Sequence, residues 1–144
     1  MAICQASRVE VTPMDTKFRV AIAGFGLLLA ARPAPAHHAF AAEFDVEKPV
    51  QVTGKVTKLD LVNPHSWLYV DVTEPDGKVT NWRFELGAPN ALFRLGWKKD
   101  TIPAGLEVVV NGFRAKFGGP VANGRSVKLP SGKTLESGGS NPIK

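Results

Sequence analysis

Cysteine is almost missing from this chain, and the one present, Cys4, lies close to the start. With no second thiol there is no internal disulfide, and nothing downstream of it offers a thiolate to a metal. Cys4 also lacks the preceding apolar run that a lipid-anchored cysteine needs. Methionine is as scarce: Met1 and Met14 are both early, which excludes a thioether copper site from the rest of the chain. Acid/base candidates are thin. Asp45, Asp60, Asp71 and Glu85 are scattered and form no recognisable pair. No cysteine nucleophile exists, so an enzyme is not expected.

Long apolar runs are missing too. Residues 20–31 (VAIAGFGLLLAA) form a twelve-residue uncharged stretch, too short to span a bilayer. Charge of one sign is not concentrated. The formal charge is +5, and residues 1–36 hold Arg8, Lys17, Arg19 and Arg32 against Glu10 and Asp15, which leaves +3 downstream. That is too little to argue for nucleic acid, which is not an expected partner.

What is there begins with a leader. Lys17 and Arg19 form a basic start, residues 20–31 an apolar core, and Arg32-Pro33-Ala34-Pro35-Ala36 an end with small residues at −3 and −1. That order is a secretory signal, and it predicts cleavage after Ala36 and a periplasmic location. The competing reading is a buried or amphipathic N-terminal helix. Residues 1–13 precede the pattern awkwardly, which points to Met14 as the true start. Residues 1–36 are read as leader, residues 37–136 as one domain with an arm at 37–49, and residues 137–144 as a disordered tail.

The mature chain reads as β. In the arm, Phe40 and Phe44 are spaced to share a helical face and anchor it. Residues 50–62 alternate as strand one, with Gly54 suggesting a bulge or a sharp bend. Residues 66–73 and 79–86 flank Glu74-Pro75-Asp76-Gly77 as a hairpin. Folded over that turn, Trp67, Tyr69, Trp82 and Phe84 share one face. Pro89 opens a short helix at 91–95 and Gly96 closes it. Residues 97–105 read as a loop, and residues 106–116 and 122–129 supply strands four and five. The whole is all-β: a small five-stranded OB-like barrel with one short helix between strands three and four, preceded by a cleavable signal peptide.

The motifs His37-His38-Ala39-Phe40, Asn63-Pro64-His65-Ser66-Trp67 and Asn81-Trp82-Arg83-Phe84-Glu85-Leu86-Gly87-Ala88-Pro89-Asn90 resemble a domain-of-unknown-function family of small exported bacterial proteins. Gly96-Trp97 and Asn123-Gly124-Arg125-Ser126-Val127 extend the resemblance over essentially the whole mature chain. It implies a signal-bearing, periplasmic domain and no particular activity.

The chemistry rests on three histidines, His37, His38 and His65. Cleavage after Ala36 makes His37 the new N-terminus, whose amine and Nδ1 chelate together. His65 supplies a third nitrogen, and His38 is able to replace either imidazole. Nitrogen-rich tetragonal sites suit copper(II), and zinc lacks a fourth ligand here. The plainer reading is a frayed chain end with His65 packed in its turn. Trp67, Tyr69, Trp82 and Asn90 are the candidates for a small ligand. The aromatics would act as a stacking platform, or, more plainly, as a core row. Two functions follow as expectations. One is an exported, non-enzymatic binding protein that takes copper through His37, His38 and His65. The alternative is an OB-type structural or interaction module without metal, contacting an envelope protein or small ligand.

Overall fold

A computed structural model describes residues 37–139, so the expected leader at residues 1–36 and residues 140–144 lie outside the described residues. The chain runs α1 (His37–Glu43), β1 (Phe44–Asp60), β2 (Trp67–Thr73), β3 (Val79–Glu85), α2 (Pro89–Arg94), β4 (Glu107–Ala115), β5 (Val121–Lys128) and β6 (Thr134–Glu136). It is mostly β, as expected. The strands order as β3-β2-β1-β4-β5-β6, and β3 also pairs in parallel with β5. Among the described residues no helix is long and apolar enough to cross a membrane.

Strand β1 organises the sheet. It starts at Phe44, six residues earlier than the alternation suggests, and is 17 residues long. Its first part pairs with β4, through Val50↔Gly112 to Lys55↔Glu107, and its last part with β2, through Lys55↔Asp71 to Asp60↔Trp67. Pro49 does not prevent this. It sits where the β1–β4 register shifts, between Phe44 and Pro49, and a missing N–H is tolerated at such irregularities. At Gly54 the strand passes over β2 so closely that a Cβ would run into the Asp71 carbonyl and Val70 Cγ1. Only a residue without a side chain fits at Gly54, and the register irregularity of β1 against β2 lies further on, between Val56 and Lys58.

The hairpin corrects one expectation. A two-residue turn at Pro75-Asp76 would pair Glu74 with Gly77 and place Trp67, Tyr69, Trp82 and Phe84 together. Instead the Glu74 N–H donates to the Lys78 carbonyl at 2.8 Å and Gly77 takes φ +84°. The turn thus holds three residues, the last left-handed. The pairing slides by one residue, and a slide of one moves every side chain to the other face. The register is Leu68↔Phe84 and Val70↔Trp82 on one face, Trp67↔Glu85 and Tyr69↔Arg83 on the other. Leu68, Val70, Trp82 and Phe84 are buried in the main core, whereas Trp67 and Tyr69 are half-buried outside it.

The core also takes in Trp97 and Ile102, both in the stretch read as an open loop. The Trp97 indole donates to the Glu136 carbonyl at 2.8 Å, so the largest buried side chain has its polar atom satisfied. A second, smaller cluster joins Phe40 and Phe44 to Ala115 and Val121. Helix α2 begins with Pro89 in its first turn, and Gly96 follows its C-cap at φ +89°, as the sequence suggests.

Two further corrections concern the C-terminal end. Six strands form rather than five, because residues 134–136 pair with β5 through Val127↔Leu135. The tail expected from residue 137 is not loose at its start. Ser137 is 1% exposed and its N–H donates to the Arg125 carbonyl at 2.9 Å.

Candidate functional site

The outer face at the end of the β2–β3 hairpin carries the best-defined polar group of the molecule. His65 follows Asn63-Pro64, whose peptide bond is cis, and leads directly into β2. Side chains alternate along a strand, so His65 falls on the side of Trp67 and Tyr69. On that side Glu85 stands opposite Trp67. His65 Nδ1 lies 2.9 Å from Glu85 Oε1, with the imidazole 43% exposed and the carboxyl 8% exposed.

This contact has a chemical consequence. With Nδ1–H donated to the carboxylate, the neutral ring leaves the Nε2 lone pair as its remaining acceptor. A buried carboxylate that fixes the far nitrogen of a half-exposed imidazole is a recurrent arrangement behind metal-binding histidines.

Burial holds the Glu85 carboxyl above its ordinary range, His65 pulls it back down, and Glu43 at the end of α1 raises it again. The folded state therefore keeps the Glu85 proton to higher pH than the unfolded chain does. Across that window the folded state binds more protons, so this group's contribution to stability falls as pH rises above the usual carboxylate value. The expected result is a melting temperature that declines from about pH 4.5 upward through this group. Glu85→Gln should remove that part of the slope. Equal slopes in thermal scans of the two proteins would count against it.

Next to Glu85 stands Asn123, its partner in the parallel β3–β5 pairing. Asn123 is completely buried, and neither Nδ2 nor Oδ1 has a hydrogen-bond partner. A row thus crosses four strands: Trp67, Glu85, Asn123 and Phe113. Its two aromatic ends pack against the Phe40–Phe44 cluster, and its middle is polar.

The structure distributes the sequence candidates unevenly. His37 and His38 are the first residues of α1, and their side chains lie outside the described residues. The arm is helical from His37 and runs straight into β1. It is pinned by Phe40 on Phe44, 5.5 Å between ring centres, and by Phe40 edge-on to Phe113 at 6.2 Å. Lys116 adds a 2.6 Å hydrogen bond from Nζ to the Ala41 carbonyl. Helical rise places His37 about 9 Å along the axis from Glu43, whose charge is felt at Glu85. Among the described residues, no three His, Cys, Asp or Glu side chains are grouped to hold a metal.

Trp67, Tyr69, Trp82 and Asn90 do not come together. Trp82 is in the core, stacked on Phe84 at 5.8 Å with the Arg114 guanidinium 4.9 Å from its ring centre. Tyr69 lies outside under the Lys58 ammonium at 5.7 Å. Asn90 is exposed in the first turn of α2, and no side chain caps that helix. Sequence reasoning missed Glu85 as the partner of His65 and Asn123 as the neighbour of Glu85. The correct hairpin register would have found Glu85. Asn123 depends on the parallel pairing, which no local pattern announces.

A sequence model of DUF6152, a family of unknown function, matches residues 25–123. The chain belongs to that family. No curated protein and no solved structure matches this DUF6152 chain. The matched range takes in α1, the His65–Glu85 pair and Asn123 at its last residue.

Proposed function

We propose that this DUF6152 protein is an exported, periplasmic, non-enzymatic binding protein that takes copper(II) through His37, His38 and His65. Its frame is an OB-type barrel: β1 to β5 pair in the cycle β3-β2-β1-β4-β5-β3, with α2 between the third and fourth strands. The observation that carries the metal reading is the buried Glu85 carboxyl on His65 Nδ1, which turns Nε2 outward as a ligand of fixed tautomer. Removal of the leader after Ala36 gives His37 a free amine, and that amine and its imidazole form a chelate that an intact leader forbids. Three or four nitrogens then meet the preference of copper(II).

The test compares the chain beginning at His37 with the same chain carrying one extra N-terminal residue. Calorimetry should find one tight copper(II) site in the first, with electron spin resonance showing a tetragonal nitrogen signature. The extra residue, or His65→Ala, should weaken it by at least about tenfold. Glu85→Gln should weaken it by about tenfold while leaving stoichiometry at one, as loss of an orienting partner does. Equal, weak binding in all four proteins would overturn the metal reading.

A further inference from the structure

The strands β3 and β5 run side by side only through Arg83↔Val121, Phe84↔Ala122 and Glu85↔Asn123. Beyond these they part, and Ser137 lies in the fork. Its N–H donates to the Arg125 carbonyl at 2.9 Å, its carbonyl accepts from the Gly87 N–H at 2.8 Å, and its hydroxyl donates to the Gly124 carbonyl. Gly138 and Gly139 follow. A Cβ on Gly87 would come within 2.5 Å of the Gly138 carbonyl, and one on Gly139 within 3.3 Å of Asn123 Nδ2. Residues 137–139 therefore form a closely fitted strap, with Gly138 in the left-handed region at φ +60°, and Gly87 beside it has no room for a side chain.

The strap fits the fork incompletely. The Asn123 amide beneath it has two donor hydrogens and an acceptor oxygen, yet both its polar atoms are buried without a partner. Unpaired burial of such a group is unfavourable. Apolar cover over the strap is thin: Leu95 Cδ1 and Ala91 Cβ flank Gly138, and the last buried apolar side chain before it is Leu135. Lifting the strap costs the three hydrogen bonds of Ser137 and lets the Asn123 amide be solvated or paired.

We propose that the fork between β3 and β5 is a binding slot for one short peptide segment held by its main chain, and that residues 137–139 are its displaceable occupant from the same chain. The partner is a polypeptide segment with two successive small residues. It pairs with Gly87 and Arg125 as Ser137 does and adds a backbone bond to the Asn123 amide that the strap does not make. Recognition of this kind takes affinity from main-chain bonds and selectivity from the space allowed to side chains. The slot uses none of the three histidines, so it stands or falls apart from the copper reading.

The test uses the full chain labelled for nuclear magnetic resonance, with the tripeptide acetyl-Ser-Gly-Gly-amide as probe. Amide exchange at Ser137 and Gly87 is expected to run about tenfold or more faster than at Val110 and Val127, as local opening requires. Adding the peptide should shift the Gly87 and Arg125 amides and the Asn123 side-chain NH2. Gly138→Ala, at φ +60°, should loosen the strap and raise the fraction bound at a given peptide concentration about fivefold, because more of the protein is competent to bind. Asn123→Leu should slow strap exchange and abolish the shifts. Exchange at Ser137 as slow as at Val127 would overturn the proposal. So would rapid exchange with no peptide shifts in either the unaltered chain or the Gly138→Ala chain, which would leave only a fraying end.

Discussion

Trp97→Ala is expected to lower stability by about 4 kcal/mol, in the range for truncating a buried Trp. Trp97 is 2% exposed and sits between the end of α2 and the return of β6, although the sequence around it reads as loop. Its removal opens a cavity that Leu92 and Leu135, held on different elements, do not fill. It also strips the Glu136 carbonyl of its 2.8 Å indole donor. For a domain of this size the melting temperature should fall by about 20 °C. Trp97→Phe separates the two causes: it keeps most of the ring, loses the hydrogen bond, and should cost about 1.5 kcal/mol. Urea unfolding of the three proteins measures both. A loss under about 1 kcal/mol for Trp97→Ala would mean that this end of the core repacks freely.

Gly54→Val is expected to cost about 3 kcal/mol, at the upper end for overpacking. The obstacle at Gly54 is backbone, the Asp71 carbonyl, and not the far end of a flexible side chain. Relief requires β1 to move away from β2 at the point where it stops pairing with β4 alone and begins pairing with β2. Neither ladder yields without loss of hydrogen bonds. The neighbouring exposed Thr53 provides the control, since Thr53→Val on the same strand should change stability by no more than about 0.5 kcal/mol. Equal midpoints for the two variants in urea would show that β1 clears β2 without glycine.

The two cases also show what the sequence discloses. Alternating Val52 and Val56, the β-branched run at 108–110 and the Pro89 and Gly96 bracket of α2 are local signals, and the elements they announce are present. The faces of the hairpin were not legible, because Pro75-Asp76-Gly77 reads equally as a two- or three-residue turn and only the left-handed Gly77 decides. That one residue exchanges Trp82 for Glu85 on the outer face, and so replaces an aromatic platform with a His65–Glu85 pair. Trp97 and residues 134–137 were hidden for a different reason. Trp97 is tied to the Glu136 carbonyl, 39 residues away in the chain, and residues 134–136 pair with β5; neither has a periodicity of its own. Asn123 was invisible on both counts: it lies in a polar stretch, and its neighbours come from a parallel pairing.

The long β1 ladder also governs how the molecule is assembled in time. The β2–β3 and β5–β6 hairpins join near neighbours through tight turns. Phe44 must find Ala115, Gly54 must find Val108, and Glu85 must find Asn123, each across a large part of the chain. Closing such loops loses chain entropy before any bond rewards it. Topologies dominated by distant pairings belong to the slow end of small-domain folding, from milliseconds to seconds. Until β4 arrives, one edge of β1 stands open to any other extended chain nearby, so the interval before closure is when this sequence is most exposed to mispairing.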